Sequence, residues 1–291
     1  MRFFLCAALL VLLVLGCNPA EERTDVTYDV RFDPDTRLDL YLPDDGRSGR
    51  PAVLFVHGGG WHIGSKEAHT TDAERLARSG WVAGTVGYRL DEEGRFPAGY
   101  QDVHCALAYV RAHADELRVD PDRIAVAGMS AGGHLVSLLG VAAGDERIAT
   151  DCEWGPTGAP AAVISAAGPQ DLREIAFADA TQEFLGGTLE EVPEAYALAS
   201  PIDHVHAGAP PFLFLHGSFD VFVGVEDSER MDAALREVGV DSRIAVFPGG
   251  GHLLNPGTGG GDLQVNIPLT TPEAWPIIAD FLERTMGGPD A

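Results

Sequence analysis

The chain has 291 residues, with 44 acidic and 20 basic side chains and a formal net charge of −24. Such acidity excludes a nucleic-acid binder, whose affinity comes from Lys and Arg neutralising phosphates, and a basic surface that adsorbs to anionic lipid. At 45% hydrophobic and 22% charged the composition is that of a globular chain with ample length for a buried core.

Met1-Arg2 leads into an apolar run over 3–15. The run is shorter than the about 20 residues a spanning helix needs and suits the hydrophobic part of a secretory signal. Val14-Leu15-Gly16-Cys17 resembles a bacterial lipobox. That resemblance implies removal of 1–16, a lipid on Cys17 and an exported, membrane-anchored lipoprotein of the periplasm or cell surface; plain secretion and an uncleaved anchor are the alternatives. Residues 17–25 read as a polar tether. Cys6 leaves with the signal, so Cys105 and Cys152 remain. In an exported chain two such cysteines either pair as a disulfide or stay as separate buried thiols. Neither a CxxC nor a His/Cys ligand spacing occurs, so no metal is expected.

Residues 26–32 and 38–42 alternate in polarity, as an antiparallel pair at a sheet edge does. Six short apolar runs follow, at 52–56, 81–86, 124–127, 161–167, 212–215 and 244–247. They are continuous rather than alternating, the pattern of parallel strands buried on both faces. Helical spacing occupies the stretches between them. Over 100–117 it sets Val103, Leu107, Val110 and Ala114 on one face, and 130–139, 190–199, 225–238 and 272–286 behave similarly. Strands alternating with helices predict a single α/β domain over 26–291: a mostly parallel eight-stranded sheet with helices on both faces. Only the segment 168–210 is longer than a crossover requires, and it is expected to add a small lid.

Two motifs stand where strands end. The strand at 123–127 runs into Gly128-Met129-Ser130-Ala131-Gly132, a G-x-S-x-G pattern from which a helix departs. A nucleophile on a sharp strand-to-helix turn needs small neighbours two residues away on each side. A serine at this place can equally be an ordinary helix N-cap. The strand at 52–56 runs into His57-Gly58-Gly59-Gly60-Trp61. There a glycine run lets backbone N–H groups approach a substrate oxygen, as in an oxyanion hole; the alternative is a flexible turn.

In this order the two motifs resemble the α/β-hydrolase carboxylesterases with an HGGG loop, the hormone-sensitive-lipase-like esterases. They are more similar still to the bacterial feruloyl and acetyl-xylan esterase-like members. Tyr88-Arg89-Leu90, Phe96-Pro97, Gln101-Asp102-Val103, Asp120 to Ile124, His134 and Ser200-Pro201 extend the likeness, and Met129 in place of Asp favours the second group. The resemblance implies Ser130 as nucleophile, followed along the chain by an acid and a histidine. Asp220, in His216-Gly217-Ser218-Phe219-Asp220 after a strand, fits the acid; Asp227 on the next helix and Asp203 in the lid are poorer candidates. His252, in a loop after the last apolar strand, fits the base. Gly59, Gly60 and Ala131 are implied as the oxyanion-hole donors. His57 is expected to hold the glycine loop and His134 to begin a helix beside the nucleophile.

The implied reaction is hydrolysis of short-acyl esters through an acyl-enzyme, with acetyl or feruloyl esters of carbohydrate as candidates. Neither metal nor organic cofactor is required. The expected partner is a small-molecule or carbohydrate ester, without nucleic acid, and membrane contact comes only through the N-terminal lipid. An aryl-formamidase and a prolyl-oligopeptidase-like serine hydrolase share the pattern. From another class, an inactive surface-anchored binding protein is the remaining alternative.

Overall fold

The computed structural model describes residues 20–155, 157–175, 178–252 and 269–291. The signal over 1–16 and Cys17 lie outside them. Eight strands form one sheet: β1 (Glu21–Thr27), β2 (Arg37–Leu42), β3 (Arg50–Val56), β4 (Val82–Val86), β5 (Val119–Met129), β6 (Ala162–Ala166), β7 (Phe212–Gly217) and β8 (Ser242–Phe247), in the order β1-β2-β4-β3-β5-β6-β7-β8. Strand β2 runs antiparallel to β1 and β4, and the pairs from β4 through β8 are parallel.

The helices are α1 (Thr70–Arg78), α2 (Ala98–Ala112), α3 (Ala114–Leu117), α4 (Ala131–Ala142), α5 (Ala178–Leu185), α6 (Pro193–Ala199), α7 (Val225–Glu237) and α8 (Trp275–Met286). The apolar strands are continuous because each feeds two cores. Leu54, Ile124, Val126, Phe212 and Phe214 face a layer built on α2, α4 and α7, with Leu107, Leu135, Leu139 and Met231. Val53, Phe55, Ala125, Ala127, Leu213 and Leu215 face α1 and α8, with Leu76, Ile278 and Phe281. Side chains of period two thus fill both layers of a sandwich. The segment 168–210 carries α5, α6 and a 3₁₀ turn at Pro201–His204.

The structure departs from the sequence reading in two places. The first strand begins at Glu21, within the expected tether, and Val30–Phe32 is a 3₁₀ turn. An edge strand has one unpaired side and needs no apolar face. Here β1 is fixed by charge, through Glu21 with Arg118 at 2.8 Å and Arg23 with Glu116 at 2.6 Å. Alternation fails at Asp29, whose carboxylate accepts the Arg31 N–H and starts the turn. The helical stretch 100–117 is also broken, at His113, into α2 and α3; Arg118 then leaves α3 in the left-handed region at φ 60°.

Cys105 on α2 is bonded to Cys152, with their Cα atoms 5.9 Å apart and a sequence separation of 47. The bridge closes the chain around β5 and α4, so the unfolded state loses entropy when it is present. Cys152→Ala is expected to lower the unfolding free energy by about 2–4 kcal/mol. Urea denaturation of the oxidised protein and the variant measures the difference.

Candidate active site

Strand β5 ends at Met129 and α4 begins at Ala131, leaving one residue for the whole turn. Ser130 takes φ 53° and ψ −121°, a backbone state that costs a non-glycine residue about 1–3 kcal/mol. Its N–H is held by the Ala166 carbonyl at 2.8 Å, and its carbonyl by the His134 N–H at 2.9 Å. The flanking glycines explain why the turn is possible. A Cβ on Gly128 would stand 2.5 Å from the Gly132 carbonyl, and one on Gly132 would strike the Val56 and His57 carbonyl oxygens. The Ser130 hydroxyl makes no cap bond to α4, so the N-cap alternative does not hold.

That hydroxyl faces His252 instead. Ser130 Oγ lies 2.9 Å from His252 Nε2, and His252 Nδ1 lies 2.7 Å from Asp220 Oδ2. His252 is 8% exposed and Asp220 0% by side chain. Asp220 follows β7, and its other oxygen accepts the N–H groups of Phe222 and Val223 at 2.9 and 3.0 Å. Burial opposes its ionisation, but the His216 and His252 hydrogen bonds outweigh it and hold the carboxyl well below the usual carboxylate range. The arrangement can accept the serine proton at His252 and stabilise the resulting imidazolium at Asp220.

The glycine loop after β3 lies against this chain: a Cβ on Gly58 would stand 3.2 Å from Ser130 Cβ. Gly59 and Gly60 both take positive φ, 116° and 60°. Among the described residues no acceptor takes the N–H of Gly59, Gly60 or Ala131. The loop is braced on both sides. His57 stacks on Tyr88 at 4.3 Å, and the Tyr88 hydroxyl donates to the His57 carbonyl at 3.0 Å. Trp61 stacks on Phe184 of α5 at 4.5 Å and donates its indole N–H to His134 Nδ1 at 3.3 Å. His134 Nε2 in turn donates to the Ala199 carbonyl at the end of α6, at 2.7 Å. This bond fixes the tautomer, leaving Nδ1 free to accept. Arg89 grips Asp102 through two bonds of 2.8 and 2.7 Å, securing the chain just after Tyr88.

Neither poorer candidate for the acid joins the chain. Asp227 accepts the Gln170 N–H and pairs with Arg230, and burial raises its pKa to about 6. Asp203 pairs with Arg173. A residue without a sequence-level role does join it: His216, a buried residue near the end of β7, lies 3.2 Å from Asp220 Oδ2. Its one signal was a polar residue closing the apolar run Phe212 to Leu215.

A strained serine between β5 and α4, an acid after β7 and a histidine after β8 define an α/β-hydrolase. Residues 38–235 match the BD-FAE family, and the chain belongs to it. It is similar to the esterase LipC of Mycobacterium tuberculosis, 35% identical over 261 residues that make up 87% of this chain and 63% of that one. The chain spans about three fifths of the length of the curated relatives it matches. Among solved structures, a thermophilic esterase of Thermogutta terrifontis superposes with a TM-score of 0.73 at 26% identity, over 94% of both chains. The acetyl ester-xyloside bifunctional hydrolase of Caldicellulosiruptor lactoaceticus gives 0.68 at 28%, over 84% of this chain and 88% of that one.

Burial lowers the pKa of both His57 and His134 to about 4, against about 6.5 in an unfolded chain. Both are neutral when folded, so the unfolded state binds more protons in this window. Their contribution to stability is complete above about pH 6.5 and declines as pH falls toward 4. Denaturant titrations at pH 7 and pH 4.5 are expected to show this fall, with a smaller fall for His134→Gln.

Proposed function

We propose that the protein is a serine carboxylic-ester hydrolase acting on short-acyl esters through an acyl-enzyme. The observation that carries the reading is the unbroken chain from Asp220 through His252 to Ser130, at 2.7 and 2.9 Å, on a strained turn that directs the serine hydroxyl away from its own helix. In the first half-reaction Ser130 Oγ attacks the ester carbonyl while His252 Nε2 takes its proton. Asp220 holds the imidazole with Nδ1 protonated and stabilises the imidazolium. The tetrahedral oxyanion is received by the N–H groups of Gly59, Gly60 and Ala131; one such donor is worth about 3 kcal/mol of barrier. His252 then protonates the leaving alcohol, and the acyl group remains on Ser130. In the second half, water gives a proton to His252 as it attacks the acyl carbon, and His252 passes that proton to Ser130 Oγ as the bond to the acyl carbon breaks and the acid departs.

The esterases among its relatives support the reaction, and a 25% identical esterase that paraoxon phosphorylates supports a reactive nucleophile. A short acyl group is supported by the segment 168–210. Trp61 and Phe184 stack beside the glycine loop, and the same segment carries the ion pairs of Arg173 with Asp171 and Asp203 rather than an apolar surface. An acetylated or feruloylated carbohydrate is supported by the likeness to the Caldicellulosiruptor hydrolase. The N-terminal sequence supports export with a lipid on Cys17.

Ser130→Ala is expected to cut the turnover of p-nitrophenyl acetate by about 10⁶-fold without changing the folded state. A fluorophosphonate probe is expected to label Ser130 and not the variant; turnover retained by the variant overturns the assignment. In a panel of p-nitrophenyl esters with acetylated xylan and methyl ferulate, kcat/KM is expected to fall as the acyl chain lengthens. Labelled palmitate is expected to enter the full chain and not Cys17→Ala; equal labelling of both overturns the lipid anchor.

A further inference from the structure

Asp220 is approached by two histidines rather than one. His216, the fifth residue of β7, is fully buried. Its Nε2 lies 2.9 Å from the Val223 carbonyl oxygen and 3.2 Å from Asp220 Oδ2. Both neighbours are acceptors, so Nε2 carries a hydrogen in either charge state of the ring. On the other side Nδ1 lies 2.8 Å from Ser228 Oγ, on the first turn of α7. The site is therefore a chain of five side chains, Ser228, His216, Asp220, His252 and Ser130, with one carboxylate oxygen at its centre facing both imidazoles.

We infer that His216, oriented by Ser228, is a positioning residue that fixes the Asp220 carboxylate and moderates its pull on His252. The inference rests on the ester-hydrolase reading of the site. The physical basis is competition at Oδ2. The His216 N–H, hydrogen-bonded to the Val223 carbonyl, also stands 3.2 Å from Oδ2, so the carboxylate's charge is drawn toward a second N–H dipole and its bond to His252 is weaker than if His252 stood alone. A base needs this balance. Held too tightly as an imidazolium, His252 enters its neutral, working form only at higher pH. The titratable groups that face His216 are Asp220 on the loop it leads into and Asp227 on α7, with His252 beyond the shared oxygen. The Val223 and Ser228 contacts also tie the acid loop to α7, so the carboxylate is held by the sheet and a helix together.

The test compares His216→Leu, which removes the N–H, with His216→Gln, whose terminal amide carries an N–H to about the same place. In His216→Leu, kcat on p-nitrophenyl acetate is expected to fall about tenfold with KM unchanged. The acid limb of its kcat/KM profile is expected to move up by about one pH unit, the scale of one charged hydrogen bond. His216→Gln is expected to restore most of kcat and the original acid limb. NMR titration of the His252 ring, which needs no turnover, is expected to move upward in His216→Leu and to return in His216→Gln. Equal losses in both variants with an unmoved His252 titration overturn the inference. If the wild type hydrolyses no ester yet the titration shifts as stated, the ester-hydrolase reading falls and the role of His216 stands. Should His216→Leu not fold, Ser228→Ala removes only the partner of Nδ1. A smaller upward movement is then expected, and no movement overturns the inference.

Discussion

The approach of α4 to the ends of β3 and β5 is closer than side chains allow, and the rest of the site is arranged around it. Gly132 rests on the carbonyls of Val56 and His57, and Gly133 on Gly168 beyond β6. This contact compresses the link between strand and helix to a single residue, which must take a positive φ. The strain is repaid by packing: α4 is buried along its full length, and its Leu135, Leu138 and Leu139 belong to the larger core. A serine on a relaxed turn would bond back to its own helix; here the hydroxyl is turned outward to meet a histidine from elsewhere in the chain.

The same contact brings the glycine loop into place. Since β3 and β5 are parallel neighbours, the ends of both strands emerge on one edge of the sheet, the position at which open α/β sheets bind ligands. The loop after β3 then needs support of its own, because glycine contributes none. Tyr88 and His57 provide it below, and Trp61, Phe184 and His134 above. Both histidines in these supports are deeply buried, and their ring nitrogens meet the Gly58 and Ala199 carbonyls and the Trp61 indole, whereas those of His252 meet Asp220 and Ser130. Three buried histidines near one serine thus differ in role through the partners of their ring nitrogens.

The fold was largely readable in the amino-acid order, because burial on both faces forces continuous apolar runs and each of the six became a strand. The edge was not. Glu21 to Asp25 carries no apolar residue, and its place in the sheet depends on Arg118 and Glu116, some ninety residues away. Ser130 and the glycine loop were legible because close backbone approach restricts the residue types that fit. Asp220 and His252 were legible only through chain order and resemblance. The tie between His216 and Asp220 was not legible, since a buried polar residue at a strand end declares itself only once its partners are in place.

The nucleophile, acid and base are not equally protected by the sheet. Ser130 follows a central strand with neighbours on both sides, whereas His252 follows β8, the outermost strand, which is partly exposed along its length. Local opening of an edge strand costs less free energy than opening of the centre. The machinery is thus assembled from parts of unequal durability, and its working life is set by the perimeter of the sheet. On that ordering, warming or mild denaturant is expected to draw the base out of reach while the elbow is still intact, so that loss of the site precedes unfolding.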